Sequence, residues 1–190
     1  MKAQDFIRRY ILEIAKEKKV LDVGGAGGFR KTLNDFGAEF IGEYISLDID
    51  PGKNPDIVGD AHNLPVSDSE FDAILCISVI EHLKNPFQAV SEMHRVLKPG
   101  GKAFFHIPFL YPFHGYTDCP DYFRFTQQGI KELFKDFTEI RIVRTSGFFG
   151  TFTNFVPRAV KPIYRPIARI MDGFFKGRST SSGFYVFVRK

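Results

Sequence analysis

Tryptophan is absent from the 190-residue sequence, and cysteine occurs only at Cys76 and Cys119. Two thiols make neither a disulfide framework nor a cysteine-rich zinc site, so no metal ligand set is read and a reducing, cytoplasmic setting is expected. No run approaches the ~18 uninterrupted apolar residues of a spanning helix. Met1 to Tyr10 carries three basic residues and one acid, with no apolar stretch and no cleavage site, unlike a secretory signal. Repeats, low-complexity runs and linkers are missing too, so residues 1–190 are expected to form one domain. Acid is scarce in one region only. Residues 151–190 hold eight Lys/Arg against the single acid Asp172, whereas residues 1–150 hold 18 basic and 21 acidic residues. The basicity is local, and no nucleic-acid partner is expected. Phenylalanine, by contrast, occurs 22 times, which fits an aromatic-rich core or an apolar acceptor pocket.

The apolar pattern alternates between strand and helix. Ile7, Ile11, Leu12, Ile14 and Ala15 follow helical spacing. Residues 19–23, 44–48, 56–58, 71–77, 102–107, 140–144 and 184–188 read as seven strands. Helices are predicted over 29–36, 86–97 and 126–137. This is an α/β doubly wound sheet. The last two strands are separated by a basic insertion, residues 147–182, too long for a bare loop and therefore expected to contain helices.

The segment Val20 to Gly28, VLDVGGAGG, ends a strand on a glycine turn that leads into a helix. Such a turn lies at the carboxyl edge of the sheet, where ligands bind in this architecture. A dinucleotide fingerprint, G-x-G-x-x-G, fits poorly: a register starting at Gly25 meets Arg30 in the third glycine position. Asp22, close to the turn, would repel a pyrophosphate but suits a ligand with an ammonium or sulfonium group. Asp48 ends the second strand, where a carboxylate can accept both hydroxyls of a ribose, or serve merely as a turn acid beside Asp50 and Pro51. Asp60 follows the third strand and could accept from an adenine amino group.

Three acids at three successive strand ends join further motifs: LDID at 47–50, GDAHNLPVSDSEFDAILCISVIEHLKNP from Gly59 to Pro86, and MHRVLKPGG ending at Gly101. In their order and spacing these segments resemble the class I S-adenosylmethionine (SAM)-dependent methyltransferases, above all the small type-11 subgroup, over about Val20 to Pro108. Ala26 departs from the central glycine common in that family, and as the smallest replacement it is expected to be tolerated. The resemblance implies a Rossmann-like, seven-stranded, mostly parallel sheet whose last strand is antiparallel, with SAM as cofactor. It implies that Asp22 and the loop Gly24, Gly25, Ala26 and Gly28 hold the methionine half of SAM. Asp48 would take the ribose diol, Ile49 would flank the adenine, and Asp60 and Ala61 would meet its edge. Ile77 and Ser78 would line the floor near the methyl group.

Methyl transfer is an in-line displacement for which the protein aligns the acceptor and excludes water, and an oxygen acceptor usually also needs a base. Among the five histidines, His62 is expected to be exposed, His94 at the surface and His106 in the core. His82 holds the family's usual Glu-His position next to the pocket. His114 is the candidate base, in a loop after the fifth strand rich in aromatic and polar groups, with Tyr111, Asp118, Asp121, Tyr122 and Arg124. Its P-x-x-x-P-x-H and D-Y-x-R-F-T patterns resemble a branch of bacterial type-11 enzymes. His82, Tyr111, Tyr122 and Arg124 are candidate acceptor contacts, although Asp121 and Arg124 equally suit a polar clamp before a helix capped by Thr126.

Between Val156 and Phe175 the apolar residues share one helical face and Arg158, Lys161, Arg165, Arg169 and Lys176 the other. The pattern suits a helical lid whose apolar face borders the acceptor pocket, or peripheral contact of 156–176 with an anionic membrane. Pro157 and Pro166 are expected to start short helices. The expected activity is methylation, preferentially at oxygen, of a small-molecule or lipid-linked acceptor. The alternatives are a nicotinamide-dependent oxidoreductase and a non-catalytic SAM-binding or membrane-docking module.

Overall fold

The protein is described by a computed structural model covering residues 1–25, 37, 39–117, 119–175 and 180–190. The expected helix at 29–36 and the loop residues Ala26 and Gly28 lie outside the described residues, as do Asp118 and Lys176.

Helix α1 (Ala3–Ile14) forms where Phe6, Ile7, Tyr10, Ile11 and Ile14 recur at helical spacing and bury one stripe. Strands β1 (Lys19–Val23), β2 (Glu43–Asp48), β3 (Ile57–Val58), β4 (Phe71–Ile77), β5 (Leu97–Pro108), β6 (Glu139–Arg144) and β7 (Gly183–Arg189) form one sheet in the order β3-β2-β1-β4-β5-β7-β6. All pairings from β3 to β5 are parallel, and β7 enters antiparallel between β5 and β6. Consecutive residues of a strand face opposite sides. Val20, Ala73, Leu75, Phe104 and Phe187 accordingly pack with α1, while Leu21, Ile74, Cys76 and Phe105 face the other layer. That layer is α2 (Pro86–Val96) and α3 (Gln127–Leu133). Both sides of β4 are covered, as its unbroken apolar sequence requires. Among the described residues nine phenylalanines are buried and seven exposed; in the core, Tyr10 stacks on Phe187 at 4.0 Å between ring centroids on one side, and Phe105 meets Phe134 at 4.6 Å on the other.

Caps fix the helices of the second layer. Asn85 accepts from the Gln88 amide at 3.2 Å with Pro86 in the first turn, and Thr126 accepts from the Gly129 amide at 3.1 Å. Helix α3 ends at Leu133, short of the predicted 137, because Phe134 leaves helical geometry and packs inward. Strand β5 begins at Leu97, earlier than expected, since that residue is already extended as α2 ends.

Among its described residues the insertion between β6 and β7 holds two helices, α4 (Phe148–Phe152) and α5 (Lys161–Phe174). Asp172 ties them together: its carboxylate accepts from the amides of Phe149 at 2.8 Å and Gly150 at 2.9 Å, at the start of α4. One expectation is corrected. Pro162 occupies the first turn of α5, and Pro166 lies inside that helix instead of starting another. Along α5 Ala168 is the buried position, and Ile163, Ile167, Ile170 and Phe174, on the face expected to border the acceptor pocket, are exposed.

Candidate functional site

The strand order runs outward from β1 to β2 in one direction and from β4 to β5 in the other, and a cleft of about 330 Å³ opens at the carboxyl ends of the strands there. Val23, Gly24, Asp48, Ile49, Asp60, Ala61, Ser78, His82 and Tyr122 are among the residues lining it. The strand ends thus bring Asp48, Asp60 and the turn residue Gly24 to one cleft.

Asp22 is buried at the floor of the glycine turn. One carboxylate oxygen accepts from the Tyr44 hydroxyl, and the other has no partner among the described residues. Burial pushes this carboxyl up to about 7, opposed by the Tyr44 bond and reinforced by the negative charge of Asp48. Gly24 has φ +74°, and its amide donates to the Leu47 carbonyl at 2.7 Å. A Cβ at Gly25 would lie 1.8 Å from Asp22 Oδ2, so glycine there is what lets the acid turn inward.

Asp48 is 5% exposed; Oδ1 accepts from the Asp50 amide at 2.9 Å, and Oδ2 accepts from Lys53 Nζ at 3.1 Å. Lys53, unmarked in the sequence pattern, is itself half exposed and lines the same cleft. Ile49 stands at the rim, 66% exposed, and Ala61 is buried below it. Asp60 is bonded to the His62 amide at 2.9 Å and to its ring Nδ1 at 2.6 Å. His62 is therefore half-buried and engaged, not exposed as expected.

At the end of β4 Ser78 lines the cleft, whereas Ile77 packs with the cluster around α1. Ser78 has φ +55°, a conformation L side chains rarely adopt. Its amide donates to the His106 carbonyl at 3.0 Å, and its hydroxyl meets His106 Nδ1 at 2.7 Å. Burial drives the His106 imidazole down to about 4, so it is neutral in the fold. The core position of this histidine is legible in its strand pattern, whereas its bond to the cleft floor is not. His94 also differs from expectation: it is half-buried and stacks edge-on against Phe137 at 5.0 Å.

Above the floor sit Glu81, His82 and His114. A 3-10 turn, Ile80–His82, swings the Glu81 side chain inward, where it is fully buried. Both its carboxylate oxygens lack a hydrogen-bond partner among the described residues. Burial pushes this carboxyl up to about 7. His82 and His114 meet edge to face at 4.9 Å, and Tyr111 meets His114 at 5.2 Å. Tyr111 and Tyr122 are both exposed, and Tyr122 lines the cleft. Arg124 donates to both oxygens of Asp121, at 2.6 Å for Oδ2, and also to the Phe123 carbonyl at 2.8 Å. Its guanidinium is thus engaged as the clamp that holds the loop, and Asp121 also accepts from the His114 amide at 3.1 Å. Nothing in the local sequence marks Glu81 as buried beneath a loop some forty residues further on.

An unpartnered carboxylate oxygen beside a glycine turn suits a cationic group, and an acid at the next strand end suits a diol. Such a donor set is hostile to a pyrophosphate. Residues 21–105 match the family described as "Methyltransferase domain". The "Probable tRNA methyltransferase 9B" of Homo sapiens is 31% identical over 113 residues, which span 56% of this chain and 25% of that protein. The "Ubiquinone biosynthesis O-methyltransferase" of Pseudomonas syringae pv. tomato is 32% identical over 106 residues, 46% of this chain and 43% of that protein. The chain spans less than half the length of these relatives. A solved SAM-dependent methyltransferase from Archaeoglobus fulgidus shares the fold, with a TM-score of 0.63 at 18% identity over 98% of this chain and 92% of that one.

Proposed function

We infer that this chain, which carries a class I SAM-dependent methyltransferase domain, catalyses methylation of a small-molecule acceptor at oxygen. The observation that carries the reading is the buried, half-paired carboxylate of Asp22 beside the glycine turn, with Asp48 at the next strand end. Asp22 and the Gly24–Gly25 turn would hold the cationic methionine end of SAM. Asp48 would take the ribose hydroxyls once Lys53 swings aside, and Ile49, Asp60 and Ala61 would meet the adenine. Bound SAM supplies a methyl group already activated on a sulfonium sulfur. The chain's own work is then alignment, exclusion of water and handling of the acceptor's proton. His114 would be the base that takes that proton at Nε2, which stands 3.7 Å from Glu81 Oε1, with Tyr111 and Tyr122 as acceptor contacts. His114→Ala should lower turnover by roughly 10²–10⁴-fold, measured with labelled methyl groups, and leave SAM affinity unchanged. Unaltered turnover would remove His114 from the chemistry, and no turnover across acceptors with SAM bound would favour a non-catalytic module.

A second reading concerns location and rests on the exposed stripe Ile163, Ile167, Ile170 and Phe174 of α5. With Lys161, Arg165 and Arg169 on the same helix, it suits peripheral contact with an anionic membrane and hence a lipid-linked acceptor. No helix among the described residues is long and apolar enough to cross a membrane. Sedimentation with anionic vesicles at low salt tests the contact, and protein left in the supernatant would refute it.

A further inference from the structure

We propose that Glu81, His82 and His114 form a binding site for a divalent transition-metal ion at the acceptor side of the cleft. The ligand atoms the three side chains can offer lie within 4.8 Å of one another. Glu81 Oε1 stands 3.8 Å from His82 Nε2 and 3.7 Å from His114 Nε2. These separations are too long for hydrogen bonds. They come close to the spacing of donor atoms that each sit about 2.0–2.2 Å from a shared ion.

Both imidazoles are already oriented for ligation. His82 Nδ1 lies 2.7 Å from the Pro120 carbonyl, an acceptor, so Nδ1 carries the proton and Nε2 keeps its lone pair. His114 Nδ1 lies 3.2 Å from the Pro112 carbonyl and 3.3 Å from Asp121 Oδ2, two acceptors that favour the same tautomer against the longer contact from the Arg124 Nη2 donor at 3.4 Å. Metal-bound histidines are typically held in this way, through the other ring nitrogen, by a carbonyl or carboxylate. Glu81 adds the second observation. A fully buried carboxylate with two unpartnered oxygens is costly to keep, and a cation between it and the two imidazoles removes that cost.

Two imidazole nitrogens and one carboxylate oxygen are the donors of a catalytic zinc site with an open position, and they also suit cobalt(II), manganese(II) or iron(II). His82 lines the cleft, so an open position can face a bound acceptor. The ion and a proton compete for the same lone pairs. When the ion is bound, His114 acts on the acceptor through it and not as a free base. The binding claim stands apart from methyl transfer, whereas this role for the acceptor rests on that reading.

The test is titration of chelator-stripped full-length protein with cobalt(II), followed by its ligand-field absorption, and with zinc(II) in competition. Stoichiometric binding is expected, weakened at least ~10-fold in Glu81→Gln and in His114→Ala, and unaltered in Cys119→Ser. Circular dichroism and SAM affinity report whether each variant is folded. If Glu81→Gln does not fold, His82→Ala and His114→Ala decide. No saturable binding by the parent protein, or binding retained in the folded ligand variants, would overturn the proposal. SAM titration of the same samples separates the two readings, because a missing ion with SAM still bound refutes the metal site alone.

Discussion

Replacing Asp22 by asparagine should make the ligand-free protein more stable above neutral pH while destroying its use. Asp22 is 1% exposed, with one oxygen bonded to Tyr44 and the other unpartnered among the described residues. Burial, with help from the charge of Asp48, raises its carboxyl from near 4 in an unfolded chain to about 7. Between these values the fold retains a proton that the unfolded chain has lost. Stability therefore falls as pH rises through this window and stays low above about 7. A separation of about three pH units corresponds to a ceiling of about 4 kcal/mol, a large part of the 5–15 kcal/mol typical of a domain. An asparagine side chain does not ionise, so the variant lacks this slope. The stability of Asp22→Asn relative to the parent should rise by up to about 4 kcal/mol between about pH 4 and pH 8. Urea unfolding of both proteins across that range, without SAM, measures it. Glu81 and His106 titrate in both proteins and cancel in the difference. SAM should restore the stability of the parent at high pH, because its cationic end favours the ionised acid, and should do nothing for the variant. Parallel pH curves for the two proteins would refute the account of Asp22 as a buried acid awaiting a cation.

Asp48→Ala should weaken SAM binding by roughly 10- to 100-fold, read by calorimetry, through loss of charged hydrogen bonds of about 1.5–3 kcal/mol. Gly25→Ala should displace the Asp22 side chain, because the new Cβ would lie 1.8 Å from Oδ2, and so abolish SAM binding in a protein that still folds by circular dichroism. Ile167→Glu with Ile170→Glu, both exposed, should change stability by no more than about 0.5 kcal/mol per site and eliminate sedimentation with anionic vesicles.

Much of the fold could be read from residues alone, since the apolar runs are strong and short. Phe71–Ile77 is apolar almost throughout because both sheet faces are covered there, and the three acids fall at strand ends because the glycine turn and Pro51 stop the strands where they do. What could not be read depends on distant packing. Glu81 becomes an orphaned acid only because the loop bearing Tyr122 and Phe123 donates two backbone amides to its carbonyl and covers it. His106 joins the cleft floor through Ser78, a contact set by the register of β4 on β5. A helical wheel displays two faces of α5 without saying which packs. Asp172, bound to the start of α4, and the buried Ala168 settle the orientation and leave the isoleucines outside.

Calorimetric titration of the purified chain with SAM and, separately, with NADH bears on the cofactor assignment that underlies the proposed methyl transfer. The account predicts saturable SAM binding at a single site and no NADH binding. Absence of SAM binding in protein shown by mass spectrometry to be free of copurified cofactor would contradict it, and NADH binding in its place would identify an oxidoreductase.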